Sequence, residues 1–470
     1  MEPLLTSTTA DLRAGFASGA LAPADALDAV LAQVEAVNPA LTAIVALDVD
    51  GARAAAEASH RRWQRGRPLS PLDGVPVTVK DSVAAAGLPW RHGTAPNAGL
   101  ADSTVDAPPA ARLREAGAVL VGKTAMPDFG MSASGVSSLH GTTRNPWDLT
   151  RSPGGSSAGA GASLAAGIGW GSVGSDIAGS VRLPAAQCGL VALKPTQGRI
   201  PHLPASTVRS AGPMARTVAE VAELHDVLAR PDARDALSLP ADPAGGQPLP
   251  AVDVAGLRVG LLLDMGPGPR ADEEVRTVVR RAAELLAAAG ARVQPVDPPF
   301  AEDPYPALDR LFQVRARAEW EAFDERGRAQ VLPELVAWSA GADGLSATDL
   351  ERAQSAVARS RDHLAAHLAG FDVVLAPVLP VVSFPAEAVG LDPLRPLAHC
   401  TYTCWFNQTG QPAAALCLGT CDGMPVGVQV VGRRFEDRRV LAVAGWLEQR
   451  RAFTPDWPLV PRSTAGAVPV

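Results

Sequence analysis

The spacing of apolar positions changes along this chain. In the opening 65 residues, APADALDAVLAQVEAVNPAL holds an apolar stripe at helical spacing and GARAAAEASHRRWQRG follows, so the stretch is expected to be helical. From residue 74 the period shortens to two. GVPVTVKDS puts Val75, Val77 and Val79 on one face of a strand that ends by presenting Lys80, and AVLVGKT at 118–124 is a second short strand ending in lysine. AGAGASLAAG at 158–167 suits a helix, with the serines before it placed to cap its N-terminus. GIGWGSVGSDIAGS then alternates glycine with Ile168, Trp170 and Val173, the pattern of a strand closely approached by its neighbours.

Further along, LRVGLLL at 257–263, a helix over 272–289 and ARVQPVD predict a strand–helix–strand unit, with Gly290 where a helix C-terminus favours glycine. DVVLAP, AAALCLG and VGVQVVG supply later strands, and DRRVLAVAGWLEQR a closing helix. Strands alternating with helices indicate an α/β protein with a mainly parallel or mixed sheet. One long break, RPDARDALSLPADPAGGQPLPAVDVAG at 230–256, reads equally as a domain linker or as a surface loop within one large domain.

Composition narrows the function. With 47% hydrophobic and 19% charged residues the chain is globular, and its net charge of -7 provides no field for nucleic acid or an anionic membrane surface. The N-terminus lacks the basic and apolar regions of an export signal, and FDVVLAPVLPVVSF is shorter than a membrane span and broken by proline, so a cytoplasmic location is expected. Cys400 with Cys404 and Cys417 with Cys421 form two C-x-x-x-C pairs; the spacing is one residue longer than the common zinc motif, and buried free thiols are expected. No cofactor is called for.

Three familiar motifs fail on context. Gly169, Gly171 and Gly174 match GxGxxG, but a helix-like segment precedes them where a dinucleotide site needs a strand. HLAAH spaces His363 and His367 like a zincin yet lacks the glutamate. GSSAG matches GxSxG, but NPWDLTRSP before it is no apolar strand for a nucleophile elbow, and no histidine lies between 152 and 180.

Lysine usage is the informative oddity. Of 42 basic residues only Lys80, Lys123 and Lys194 are lysine. Arginine replaces lysine on a solvated face but cannot give up its proton, so a retained lysine is a candidate base. A neutral lysine desolvated among apolar residues and hydroxyls can accept a proton from serine. Lys80 leads, because it closes an apolar strand; Lys123 and Lys194 read equally as solvated strand ends. By composition alone SPGGSSAG, at 152–159, is a turn, but its serines stand 24 residues before Ser180 of DIAGS, counted from Ser156. The small residues around Ser180 leave backbone N–H groups free to face an oxyanion, which favours Ser180 as the attacking group.

Together GVPVTVKD, GTTRNPWDLTRSPGGSSAGAGASLAAG, GSDIAGSVRLPAAQCGLVALKPTQGRIP and FNQTGQPAAALCLGTCDGMPVGVQVVGRRFED resemble the amidase signature family, serine hydrolases with a Ser-cisSer-Lys triad. The resemblance spans nearly the whole chain. It implies a base at Lys80, a cis-serine at Ser156 preceded by Gly155, and a nucleophile at Ser180. It places the oxyanion hole on the amides of Ile177, Ala178, Gly179 and Ser180, with Ala178 where the family commonly has glycine. MPDFGMSASG at 126–135 aligns with the acyl side of the cleft, making Gly130 and Met131 substrate contacts.

The implied fold is a single large α/β domain over 1–470, a mixed sheet covered by helices on both faces. Its parts are a helical segment of about 1–65, a catalytic core of about 66–225 and a C-terminal α/β part of about 255–460. The implied activity is hydrolysis of a small-molecule amide through an acyl-enzyme by a monomer or homodimer, without nucleic-acid or membrane partners. Phe129, Met131, Trp338 and Trp405 in the expected pocket segments favour a hydrophobic or aryl amide, with esters and carbamates (urethanes) as extensions. Two alternatives stand beside this. One is the glutaminase subunit of the tRNA-dependent amidotransferase, whose tyrosine-rich SAGYYDAYY segment has no counterpart in AWSAGADGLSATDLERAQ; the other is an inactive relative, which the filled triad positions oppose.

Overall fold

The computed structural model describes residues 2–462. Its strands are β1 (Ile44–Leu47), β2 (Pro76–Lys80), β3 (Val119–Thr124), β4 (Val136–Ser137), β5 (Gly141–Thr142), β6 (Gly171–Asp176), β7 (Val191–Lys194), β8 (Ser210–Ala215), β9 (Arg258–Leu261), β10 (Arg292–Pro295), β11 (Val373–Pro377), β12 (Ala413–Cys421) and β13 (Met424–Gly432). Eleven of them form one mixed sheet in the order β1-β3-β2-β6-β8-β7-β12-β13-β11-β9-β10, and β4 and β5 pair separately. Every residue of β2 and β3 is buried, so helices cover both faces and the chain forms one large domain.

The strand–helix–strand unit forms as expected: β9 and β10 pair in parallel around helix Glu273–Ala288, and Gly290 has φ +94° just past its end. Residues 230–256 contain no helix or strand. The opening segment differs from expectation. Helices Pro23–Leu41 and Val49–Gln64 are separated by β1, which pairs antiparallel with β3 at the sheet edge. Its sequence, IVAL, is too short and too apolar for periodicity to distinguish it from the helices on either side.

Topology places the site. β2 lies beside β6 in parallel, Val79 opposite Val173, so the carboxyl ends of both strands open at one edge. Lys80 ends the first and Asp176 the second. The chain then turns through residues 177–181 into helix Arg182–Cys188, which packs on helix Ala158–Ala165. All eight residues of the latter, AGAGASLA, are buried; small side chains let it lie deep in the molecule.

Candidate active site

Lys80 has no exposed surface. Its Nζ donates to Ser156 Oγ at 2.8 Å and to Ser175 Oγ at 3.1 Å. Burial is the main force on the amine, lowering its pKa from 10.5 to about 7; Arg209 lowers it further, while Asp176 and Asp81 oppose the fall. A lysine of this kind is largely neutral in mildly alkaline solution and retains a lone pair for a proton.

Ser156 is 2% exposed and follows a cis Gly155–Ser156 peptide. A Cβ on Gly155 would overlap the Ser134 carbonyl oxygen, so glycine is required by space. Gly130 approaches from the other side: a Cβ there would stand 3.3 Å from Ser156 Oγ. Met131, its neighbour, lines a narrow, mostly apolar pocket with Leu332, Leu335 and Val389.

Ser180 is 5% exposed, and its carbonyl accepts from Ser157 N–H at 3.1 Å, tying the two serine segments together. Ser157 heads helix Ala158–Ala165 but its side chain caps nothing; the hydroxyl turns instead toward the Ser175 carbonyl at 3.4 Å. The loop before Ser180 is pinned by Asp176. Its Oδ1 accepts from Gly179 N–H at 2.8 Å and its Oδ2 from Val181 N–H at 3.2 Å. Asp176 is held in turn by Arg182, at 2.9 and 3.0 Å, and by Asn407 at 2.9 Å. Arg182 also reaches Asn407 Oδ1 at 2.7 Å and Gln429 Oε1 at 3.2 Å. The Arg182 guanidinium drives the Asp176 carboxyl far below the usual range despite full burial. Every charge in this dry network has partners, the condition under which a buried ion pair is tolerated.

Of the four amides expected to form the oxyanion hole, that of Gly179 is engaged by Asp176 Oδ1. Among the described residues no acceptor is paired with the N–H groups of Ile177, Ala178 and Ser180. The Ala178 carbonyl accepts from Thr403 Oγ1 at 2.5 Å, and Gly179 takes φ +123°, a conformation open to glycine alone.

Other expectations resolve plainly. Trp405 is 1% exposed and packs on Phe300, while Trp338 donates to Asp309, so both belong to the core. Phe129 stacks on Phe323 with centroids 6.1 Å apart. Lys123 and Lys194 are also fully buried, donating to the Val83 and Pro195 carbonyls; neither is a solvated strand end. The His363 and His367 rings meet the carbonyls of Pro299 and Asp297. All five cysteines are free. Ser175, Asp176, Asn407 and Thr403 went unnoticed in sequence; their roles depend on contacts between distant segments.

The fold and this cluster define a serine-hydrolase-like centre with a buried lysine. The comparisons with known proteins agree on its class. A family model, Amidase, matches residues 25–441. One component of the glutamyl-tRNA(Gln) amidotransferase of Chloroflexus aurantiacus is 35% identical, covering 93% of this chain and 95% of its own. An acylamidase of Rhodococcus erythropolis is also 35% identical, over 95% and 96%. The crystal structure of a bacterial aryl acylamidase of the amidase signature family superposes with a TM-score of 0.89 at 27% identity, covering 97% of this chain and 99% of that one. The chain belongs to the amidase signature family and is an amide-cleaving hydrolase. No helix among the described residues is long and apolar enough to cross a membrane.

Proposed function

We propose that this protein is a stand-alone amidase acting on a hydrophobic or aryl amide through an acyl-enzyme on Ser180. The observation that carries the reading is the buried, hydrogen-bonded Lys80–Ser156 pair beside the Ser180 loop. Neutral Lys80 takes the Ser156 hydroxyl proton as Ser156 takes that of Ser180, and Ser180 Oγ attacks the carbonyl. The N–H groups of Ile177, Ala178 and Ser180 hold the tetrahedral oxyanion. The relay then returns the proton to the leaving amine as the C–N bond breaks. Water, deprotonated by the same route, releases the acid.

The apolar cavity at Met131 supports a hydrophobic group on the substrate, and the acylamidase relative is in keeping with it. Esters and aryl carbamates present the same carbonyl to the same groups. The glutaminase reading is favoured by the amidotransferase relative of equal identity, and it predicts turnover of glutamine once the rest of such a complex is supplied. Side-by-side assay of anilides, primary amides, esters, aryl carbamates and glutamine separates the two. Anilide or ester turnover by the purified chain, with none of glutamine, is expected. Glutamine turnover alone overturns the stand-alone reading.

A further inference from the structure

A second, narrow pocket that the mechanism above does not use adjoins the relay. Ser82, Ser175, His202 and Arg209 line it. It adjoins the base: Ser175 Oγ takes a hydrogen bond from Lys80 Nζ at 3.1 Å and lies 3.3 Å from Ser82 Oγ. On the Ser156 side of the relay, the Cβ position of Gly130 is 3.3 Å from Ser156 Oγ, and the next residue, Met131, lines the apolar pocket.

Arg209 is the anomaly in this wall. Its Nε donates to His202 Nε2 at 3.1 Å and its Nη2 to the Pro204 carbonyl at 2.7 Å, both neutral acceptors. Burial holds the His202 imidazole uncharged, its pKa lowered to about 4. Among the described residues no carboxylate lies within 4.0 Å of Arg209; Arg199 and Arg216 share that lack and donate to carbonyls, but of the three only Arg209 lines the pocket beside the base. The nearest acidic influence is Glu319 on helix Tyr305–Glu321, which is shared with Arg315 at 4.0 Å, leaving two guanidinium groups to one carboxylate. Desolvation lowers the pKa of Arg209 to about 10, so it keeps its charge at neutral pH. A half-buried cation without a counter-ion, beside two hydroxyls in a cavity, is an anion site in waiting.

We propose that this cavity is a carboxylate subsite, and that the substrate is an amide carrying an apolar group on one side of the scissile bond and a carboxylate on the other. The apolar part fills the Met131 cavity. The carboxylate accepts hydrogen bonds from the Arg209 guanidinium and the Ser82 hydroxyl. This rests on the amidase reading and names its substrate class.

The test uses two matched pairs at pH 9, where Lys80 is neutral with or without the influence of Arg209. One pair carries the charge on the amine: N-hexanoyl-4-aminobenzoate against N-hexanoyl-4-aminobenzamide. The other carries it on the acid: suberic acid monoanilide against its methyl ester. In one pair the carboxylate is expected to exceed its neutral partner in kcat/KM by at least tenfold, and Arg209→Gln to bring that ratio to about one, with Arg209→Lys restoring part of it. Equal rates within both pairs, or a preference that survives Arg209→Gln, overturn the subsite. Should no member be hydrolysed, the amidase reading fails by itself. The subsite is then judged by calorimetric binding of the same four compounds to Ser180→Ala protein, with and without Arg209→Gln. Tighter binding of one carboxylate that is lost with Arg209 upholds it, and equal binding overturns it.

Discussion

Lys80 Nζ stands 2.8 Å from Ser156 Oγ at a point with no solvent exposure, and burial has brought its pKa to about 7. The base form is the deprotonated one, so kcat/KM is expected to rise with pH through about 7 and to level above it. Lys80→Arg keeps hydrogen-bond donors but carries a charge it cannot give up, and is expected to be as inactive as Lys80→Ala, a loss of about 1000-fold or more. A pH–rate profile of wild type and both variants checks this.

The same shift bears on stability. The folded-state pKa of Lys80 is about 7 and its ordinary value 10.5, so between those limits the unfolded chain binds the extra proton. Wild type is therefore expected to gain stability relative to Lys80→Met as pH rises from 7 to 10.5, by roughly 1 kcal/mol per pH unit, with no differential change below 7. Chemical denaturation at a series of pH values measures the difference, in which the equally buried Lys123 and Lys194 cancel.

Ser175 shares the Lys80 amine with Ser156. It positions the lysine without touching substrate chemistry directly. Ser175→Ala is expected to lower kcat about tenfold with KM little changed, and Ser175→Thr to recover most of it. Steady-state kinetics on a neutral anilide provides the readout.

Asp176 ties the oxyanion loop to the core through Gly179, Val181, Arg182 and Asn407. Asp176→Asn leaves the Arg182 guanidinium buried without a counter-charge. The expected loss is about 3–5 kcal/mol of stability, together with most of the activity. Urea titration and activity measured below the unfolding midpoint separate the two effects.

Much of this was legible in the chain. The lysine scarcity pointed to Lys80, and the spaced serine motifs to Ser156 and Ser180, because those signals are local in sequence. The α/β alternation held for β9, the helix Glu273–Ala288 and β10, where apolar periodicity is long and clean. It was silent on β8, whose SAGPMA carries Pro213 into the middle of the sheet opposite Val173, against every strand preference. Gly179 was illegible for another reason. Its amide lies in a loop that sequence presents as uniformly open, and only the fold brings the Asp176 carboxylate back onto it. Arg209 belongs to the same class: in a chain rich in arginine, nothing in its neighbours signals the missing counter-ion.

The central claim is that Ser180 forms the acyl-enzyme. Treatment with a fluorophosphonate, followed by intact-mass measurement and peptide mapping, tests it most directly. One adduct per chain, located on Ser180 and absent from Ser180→Ala and Lys80→Ala, is the predicted result. An adduct on Ser156 or Ser157, or undiminished turnover by Ser180→Ala, would contradict it.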